Sequence, residues 1–335
     1  MNDSAEISGH YQKDNKHQMY GELSQIIQNF DKINIKEIKS TIQDIHENIF
    51  EEDLNIVIDD LVNLYFKEIN EGKDYNVRKQ HILDYINNLK INLNEVISWL
   101  LNNQDDSNSI YLLGYFNYNG IGMDTNIQKS FELYQKAVDL ENNAAQCELA
   151  IMYVCGRGVD KNHEKVFKLT EKLAKKEFPS GIYSLGYCYH KGIGTYPDYK
   201  KAFELYQKAT DLGNSTGMIN LGFCYYNGIG TEVNKQKSFE LYQKAADLGN
   251  STGMIKLGNF YKDGIEVKIN KQKALELYKK AANMENKFAQ CKLALMYENG
   301  DGIKKDMNQA IYWYKKSFKQ GYEYAQSKLK FLLKK

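Results

Sequence analysis

Ser215 sits in the stretch Gly213-Asn214-Ser215-Thr216-Gly217, which fits the G-x-S-x-G pattern of a hydrolase nucleophile elbow. Such a serine attacks a carbonyl after passing its proton to a histidine held by an acid. Asn214-Ser215-Thr216 also forms the Asn-x-Thr pattern that accepts an N-linked glycan. The surrounding nonapeptide, DLGNSTGMI, occurs at 211–219 and again at 247–255. An elbow needs a strand before the serine, whereas ELYQKATDL is a helical pattern. No Asp and His pair completes a triad. A turn between two helices is the better reading, and no catalytic residue is assigned.

The other chemical patterns fail on context in the same way. Ser327-Lys328-Leu329-Lys330 fits S-x-x-K, but the companion Ser-Asp-Asn and Lys-Thr-Gly motifs are absent. The GIG turns have no strand before them, and there is no phosphate loop, so no cofactor is expected. Kinase elements are missing. The histidines show no i, i+4 pair and there is no Cys-x-x-Cys, so no metal site is expected. Cys147, Cys155, Cys188, Cys224 and Cys291 read as small buried thiols.

These residues hang on a periodic frame. At a shift of 36, leucine recurs at Leu113, Leu149, Leu185, Leu221, Leu257 and Leu293. The next position is always Gly or Ala, and glycine follows at Gly120, Gly156, Gly192, Gly228, Gly264 and Gly300. A fixed period of this size signals a solenoid. In register with Ser215 stand Asn143, Pro179, Lys287 and Glu323, so the frame does not demand a serine. Each unit reads as helix, turn, helix. Asn214, Ser215 and Thr216 cap a first helix through Leu221 and Tyr225, and Gly228 closes it in the left-handed conformation. KSFELYQKAADL forms the second helix, with Phe239, Leu241, Tyr242 and Ala245 inward. Gly222 and Ala245 fall where two helices cross closely.

The pattern GMINLGFCYYNGIG…KSFELYQKAADLG resembles the Sel1-like repeat family, relatives of the tetratricopeptide hairpins. The resemblance implies an all-α, right-handed superhelical solenoid of six hairpins, starting near 113, 149, 185, 221, 257 and 293. It also implies a non-enzymatic adaptor that binds a protein or peptide partner. Local departures are Glu266 at a turn glycine, Asn117 at the first-helix tyrosine, and Thr170 where Tyr is usual. Part of the N-terminal third (NIFEEDLN to LLNNQ) resembles segments that join kinase-like domains to such arrays in some fungal proteins. That implies a kinase-type signalling partner as an alternative; a lumenal quality-control adaptor is the lesser one.

Two prolines in 335 residues favour long helices, and a net charge of +1 gives no global field for nucleic acid or membrane. No apolar run reaches a membrane span and the amino terminus reads as no signal, so a cytoplasmic protein is expected, with its five cysteines reduced. Residues 1–20 are expected to be disordered, 21–106 to form a helical cap on the first repeat, and 107–335 to form the array. Acidic residues from 44 to 60 and nine lysines from 304 to 335 offer a head-to-tail contact. For partner binding, the expected groove is Tyr115, Tyr118, Tyr187, Phe223 and Tyr226 on successive first helices.

Overall fold

The computed structural model describes residues 51–332. The chain divides into two compact units, residues 1–55 and 56–335, and every repeat lies in the second. The expected disordered segment 1–20 and the first part of the cap, 21–50, lie outside the described residues.

Sixteen helices and no strand occur among the described residues. Three precede the array: α1 (Glu51–Asn70), α2 (Tyr75–Asn88) and α3 (Leu93–Asn102). Six hairpins follow, pairing α4 (Ser107–Asn119) with α5 (Ile127–Asp139), α6 (Asn143–Cys155) with α7 (His163–Lys175), and α8 (Pro179–Lys191) with α9 (Tyr199–Asp211). The remaining pairs are α10 (Ser215–Asn227) with α11 (Lys235–Asp247), α12 (Ser251–Asp263) with α13 (Lys271–Asn283), and α14 (Lys287–Asn299) with α15 (Met307–Lys319). Helix α16 (Glu323–Leu332) packs on the last pair through Ala325 and Leu329.

Short-range chemistry sets the helix ends. Asn142, Asn214, Asn250 and Asn286 each accept a backbone N–H of the first helix they precede. Every first helix closes on a glycine with φ from 63° to 72°. Two residues on, five repeats carry a second left-handed glycine, and Glu266 takes that conformation in the fifth with φ 57°. The left-handed region costs a residue with a Cβ about 1 kcal/mol, so this departure is a local strain.

The small residues let the pairs close. A Cβ on Gly222 would stand 2.9 Å from the Tyr242 ring, and one on Gly253 would stand 2.8 Å from that of Ala245. Leu241, Tyr242 and Ala245 are buried as expected, while Phe239 is half-buried against Phe260 and Tyr261.

The helices before the array do more than cover its first repeat. The ring of Tyr65 in α1 packs on Tyr111 and Tyr115 of the first repeat, with centroids 6.0 and 4.8 Å away. Its hydroxyl donates to Glu148 of the second at 2.7 Å. Phe66 meets Phe178, at the start of α8, edge to face at 4.8 Å. The bend after α1 reaches the fourth and fifth repeats. A cap on one repeat would have left the apolar and aromatic side of α1 in water; lying along several repeats buries it.

Candidate functional site

The bend at residues 70–74 is held by the starts of three successive first helices. A helix begins with N–H groups that have no partner inside it. At α8, Phe178 replaces the capping asparagine and makes no side-chain cap bond. Asn70 supplies one instead: its Oδ1 accepts from the Ser180 backbone N–H at 3.2 Å and from the Ser180 hydroxyl at 2.7 Å. At α10, the Ser215 N–H donates to the Glu71 carbonyl at 3.0 Å. At α12, the Ser251 N–H donates to Asp74 Oδ2 at 2.9 Å.

Side chains complete the ladder. Asn214 Nδ2 donates to the Asn70 carbonyl at 2.8 Å, and Asn250 Nδ2 to the Gly72 carbonyl at 3.2 Å. The Ser215 and Thr216 hydroxyls also donate to the Gly72 carbonyl, at 2.8 and 3.2 Å. The duplicated Asn-Ser-Thr stretch therefore reads main-chain carbonyls. Ser215 is 2 % exposed, and its oxygen is already shared between Gly72 and Asn250, 3.0 Å away. Gly72 fits for two reasons: its φ is 71°, and a Cβ there would stand 2.7 Å from the Thr216 nitrogen.

The five aromatics expected to form a groove divide between two environments. Tyr115 is 1 % exposed beneath Tyr65, so α1 covers it. Tyr118 is half-buried and its hydroxyl accepts from Arg157. Tyr187 is half-buried on the wall of a cavity between α6 and α8. Phe223 and Tyr226 share a second cavity of about 320 Å³ on the first helices of the fourth to sixth repeats. Phe223 stacks on His190 at 6.0 Å, and Tyr226 meets Phe260 edge to face at 5.7 Å.

Around that second cavity stand Lys262, in the same repeat position as Tyr226, and two lysines that the sequence reading missed, Lys256 and Lys292. Lys262 pairs with Asp263 at 3.5 Å. Among the described residues no carboxylate lies within ion-pair distance of Lys256 or Lys292; each lies over a ring, of Phe223 at 5.9 Å and Tyr278 at 5.7 Å. Burial lowers the pKa of both, and at Lys292 the charge of Lys262 lowers it further. Asp301, on the rim of the adjoining cavity, is taken by Lys271 at 2.6 Å. Lys256 and Lys292 occupy one repeat position, the residue before each leucine. Reading that column through Glu148, Ser184, Asn220, Lys256 and Lys292 would have revealed a surface that turns basic toward its end.

The remaining reactive groups are quiet. Cys188, Cys224 and Cys291 are buried and Cys147 half-buried, but Cys155 is exposed, against the expectation of five buried thiols. Burial pushes the Cys224 thiol up to about 11 and the Cys147 and Cys291 thiols up to about 12, which keeps them protonated. No cluster of three metal-ligating side chains occurs among the described residues. No helix there is long and apolar enough to cross a membrane.

The Sel1 repeat profile matches residues 107–142, 143–178, 179–214, 215–250, 251–286 and 287–322. These units have the period read from the sequence and start six residues before each repeat leucine. Among solved structures, the chain is similar to the Sel1 repeat protein from Oxalobacter formigenes, at 25% identity and a TM-score of 0.57 over 67% of this chain and 91% of that one. It is also similar to c5321, a protective antigen of uropathogenic Escherichia coli displaying an SLR fold, at 26% identity and a TM-score of 0.50. That match covers 72% of this chain and 52% of the other, so the chain spans about half the length of the Escherichia coli protein. A search of curated protein sequences gave no match.

Proposed function

The chain belongs to the Sel1 repeat family, and we propose that it is a non-enzymatic adaptor that holds an acidic peptide segment of a protein partner along the first helices of repeats four to six. Sel1-repeat proteins are generally protein-interaction scaffolds. The observation that carries the reading is the bend at 70–74, a main-chain segment already gripped by Asn214, Ser215, Thr216 and Asn250 of those same helices. A surface that satisfies peptide carbonyls in one stretch is chemically suited to do so in the next.

Beyond the bend, Phe223 and Tyr226 offer apolar contact while Lys256 and Lys292 offer charge without a bound counterion. Aromatic anchors beside unpaired cations select acidic segments that also carry an apolar residue. Equivalent lysines of neighbouring repeats stand about one helix-pair spacing apart, about 10 Å, which matches one turn, about three residues, of a polyproline II chain whose side chains return to one face every three residues. A partner with two acidic side chains three residues apart fits this spacing. The free thiols fit a reducing compartment such as the cytoplasm.

The test is fluorescence anisotropy of the full chain with a labelled nonapeptide that places two glutamates three residues apart around a phenylalanine. Its glutamine twin is the control. Binding of the acidic peptide should weaken at least tenfold in Lys256→Gln and Lys292→Gln, and in Phe223→Ala with Tyr226→Ala, at unchanged helicity. Equal binding of the two peptides, or binding indifferent to all four substitutions, would overturn the reading.

A further inference from the structure

One repeat lacks its filling. Tyr134, Tyr206, Tyr242, Tyr278 and Tyr314 share a position on the second helix, and all five rings are buried. Four of them lie against the glycine of their own first helix: Tyr134 at Gly114, Tyr206 at Gly186, Tyr242 at Gly222 and Tyr278 at Gly258. In the second repeat that position is Thr170, and Ala150 opposite restores only a methyl group. A cavity of about 300 Å³ opens there, bordered by Thr170, Ala150, Val154, Tyr187 and Cys188. Apolar cavities of about half that volume take up benzene.

The walls specify what would fill it. In the third and sixth repeats a polar side chain on the first helix meets the tyrosine hydroxyl: His190 at 3.3 Å from Tyr206, and Glu298 at 2.6 Å from Tyr314. The residue at that position in the second repeat is Val154, so a ring lodged there needs no hydroxyl.

One edge of the same cavity carries Arg78. Arg78 is 8 % exposed, its Nε has no hydrogen-bond partner, and it forms no ion pair among the described residues. Its guanidinium lies over the Tyr65 ring at 4.8 Å. The neighbouring carboxylates make their hydrogen bonds to other groups: Glu148 accepts from Tyr65, and Glu68 Oε1 is held by Lys73 at 2.9 Å and His81 at 2.6 Å, while Glu68 Oε2 is buried without a partner among the described residues. A guanidinium withdrawn from water without a bonded acceptor is costly, and an incoming anion relieves it.

We propose that the cavity between α6, α7 and α8 binds a small carboxylate with a ring-sized apolar body, the ring taking the space left by the missing tyrosine and the carboxylate meeting Arg78. The chemistry is shared by a free aromatic acid and by the C-terminal phenylalanine of a peptide. The site is separate from the lysine-lined surface, so either reading can fail alone.

Isothermal titration of the full chain tests it, with 3-phenylpropanoate, its amide, and a pentapeptide ending in phenylalanine with a free or amidated carboxyl. The acid should bind at least tenfold tighter than the amide, and Arg78→Gln should erase that difference. Thr170→Phe should raise the melting temperature and abolish binding, which keeps the test decisive if Arg78→Gln does not fold. Tighter binding of the free-carboxyl peptide identifies a chain terminus as the source, and tighter binding of the free acid a small molecule; both support the site. No binding of any probe at millimolar concentration, equal binding of acid and amide, or undiminished binding by Thr170→Phe would overturn it.

Discussion

Residue 148 of the second repeat and residues 256 and 292 of the fifth and sixth stand at the same place in the unit, and they have opposite fates. Glu148 is 5 % exposed, buried under α1 with the Tyr65 hydroxyl on its carboxylate. Lys256 and Lys292 remain half-buried on an open surface, each over an aromatic ring. Tyr115 and Asn259 make the same contrast one turn away: the first is sealed beneath Tyr65, the second accepts from Tyr278 at the edge of a cavity. The repeat sets where a side chain stands. The neighbour laid over the repeat decides whether that side chain becomes core or surface, because a buried ionisable group persists only with a partner.

Alkaline titration should have the largest effect, and in both regions, because each keeps a tyrosine core. Burial raises Tyr65, Tyr111 and Tyr134, around the covered end, and Tyr278 and Tyr314, in the open half, well above the ordinary phenol value, and lifts Tyr242 to about 12. A raised folded-state pKa gives stability that is present below the unfolded value and lost as pH rises through the folded one. The unfolding free energy should fall by several kcal/mol above pH of about 10. Circular dichroism and phenolate absorbance followed together should show helicity lost as the core phenols ionise; phenolate forming from the buried tyrosines with helicity intact would contradict the burial.

Gly72→Ala should detach the covering segment. It demands a left-handed alanine and a Cβ 2.7 Å from the Thr216 nitrogen, a combined cost of about 3 kcal/mol. Hydrogen exchange should rise in α1 and at the first residues of α8, α10 and α12, with α14 to α16 unchanged. A uniform rise would mean that the bend is no independent clamp.

Tyr65→Phe removes the hydrogen bond from its hydroxyl to the buried Glu148 carboxylate and should cost about 1–3 kcal/mol in urea denaturation. Glu266→Gly, in the open half, should raise stability by up to about 1 kcal/mol by relieving a left-handed glutamate. The smallest effect belongs to Lys256→Gln and Lys292→Gln. Burial disfavours their charged forms, so the penalty operates at neutral pH and lifts only as pH rises toward the ordinary lysine value. Neutral replacements should leave stability unchanged or higher, within about 0.5 kcal/mol, while weakening the acidic peptide. A large loss of stability would make these lysines structural.

The same contrast marks how far the chain could be read. Asn214, Gly228 and Gly222 were legible because caps, left-handed turns and close crossings are settled within one or two helices, and six copies repeat the evidence. Phe223 and Tyr226 were legible as neighbours of a surface, since they lie two and five residues after a repeat leucine. Tyr115 was read by the same rule and went to the interior, because Tyr65, some fifty residues earlier, arrives over it. Nothing in the spacing of either segment encodes that meeting.

By itself, then, the sequence determined a six-hairpin helical array with its caps, turns and core tyrosines, since each is a local, repeated choice that the next unit reinforces. Only the tertiary structure decided that the Asn-Ser-Thr stretch would grip carbonyls of the bend at 70–74, that Glu148 would be sealed and Lys256 left open, and that the Thr170 vacancy would face Arg78. Those outcomes rest on contacts between residues from 83 to 178 apart in the chain, and such contacts depend on how a separate helix docks, not on any periodicity of the array.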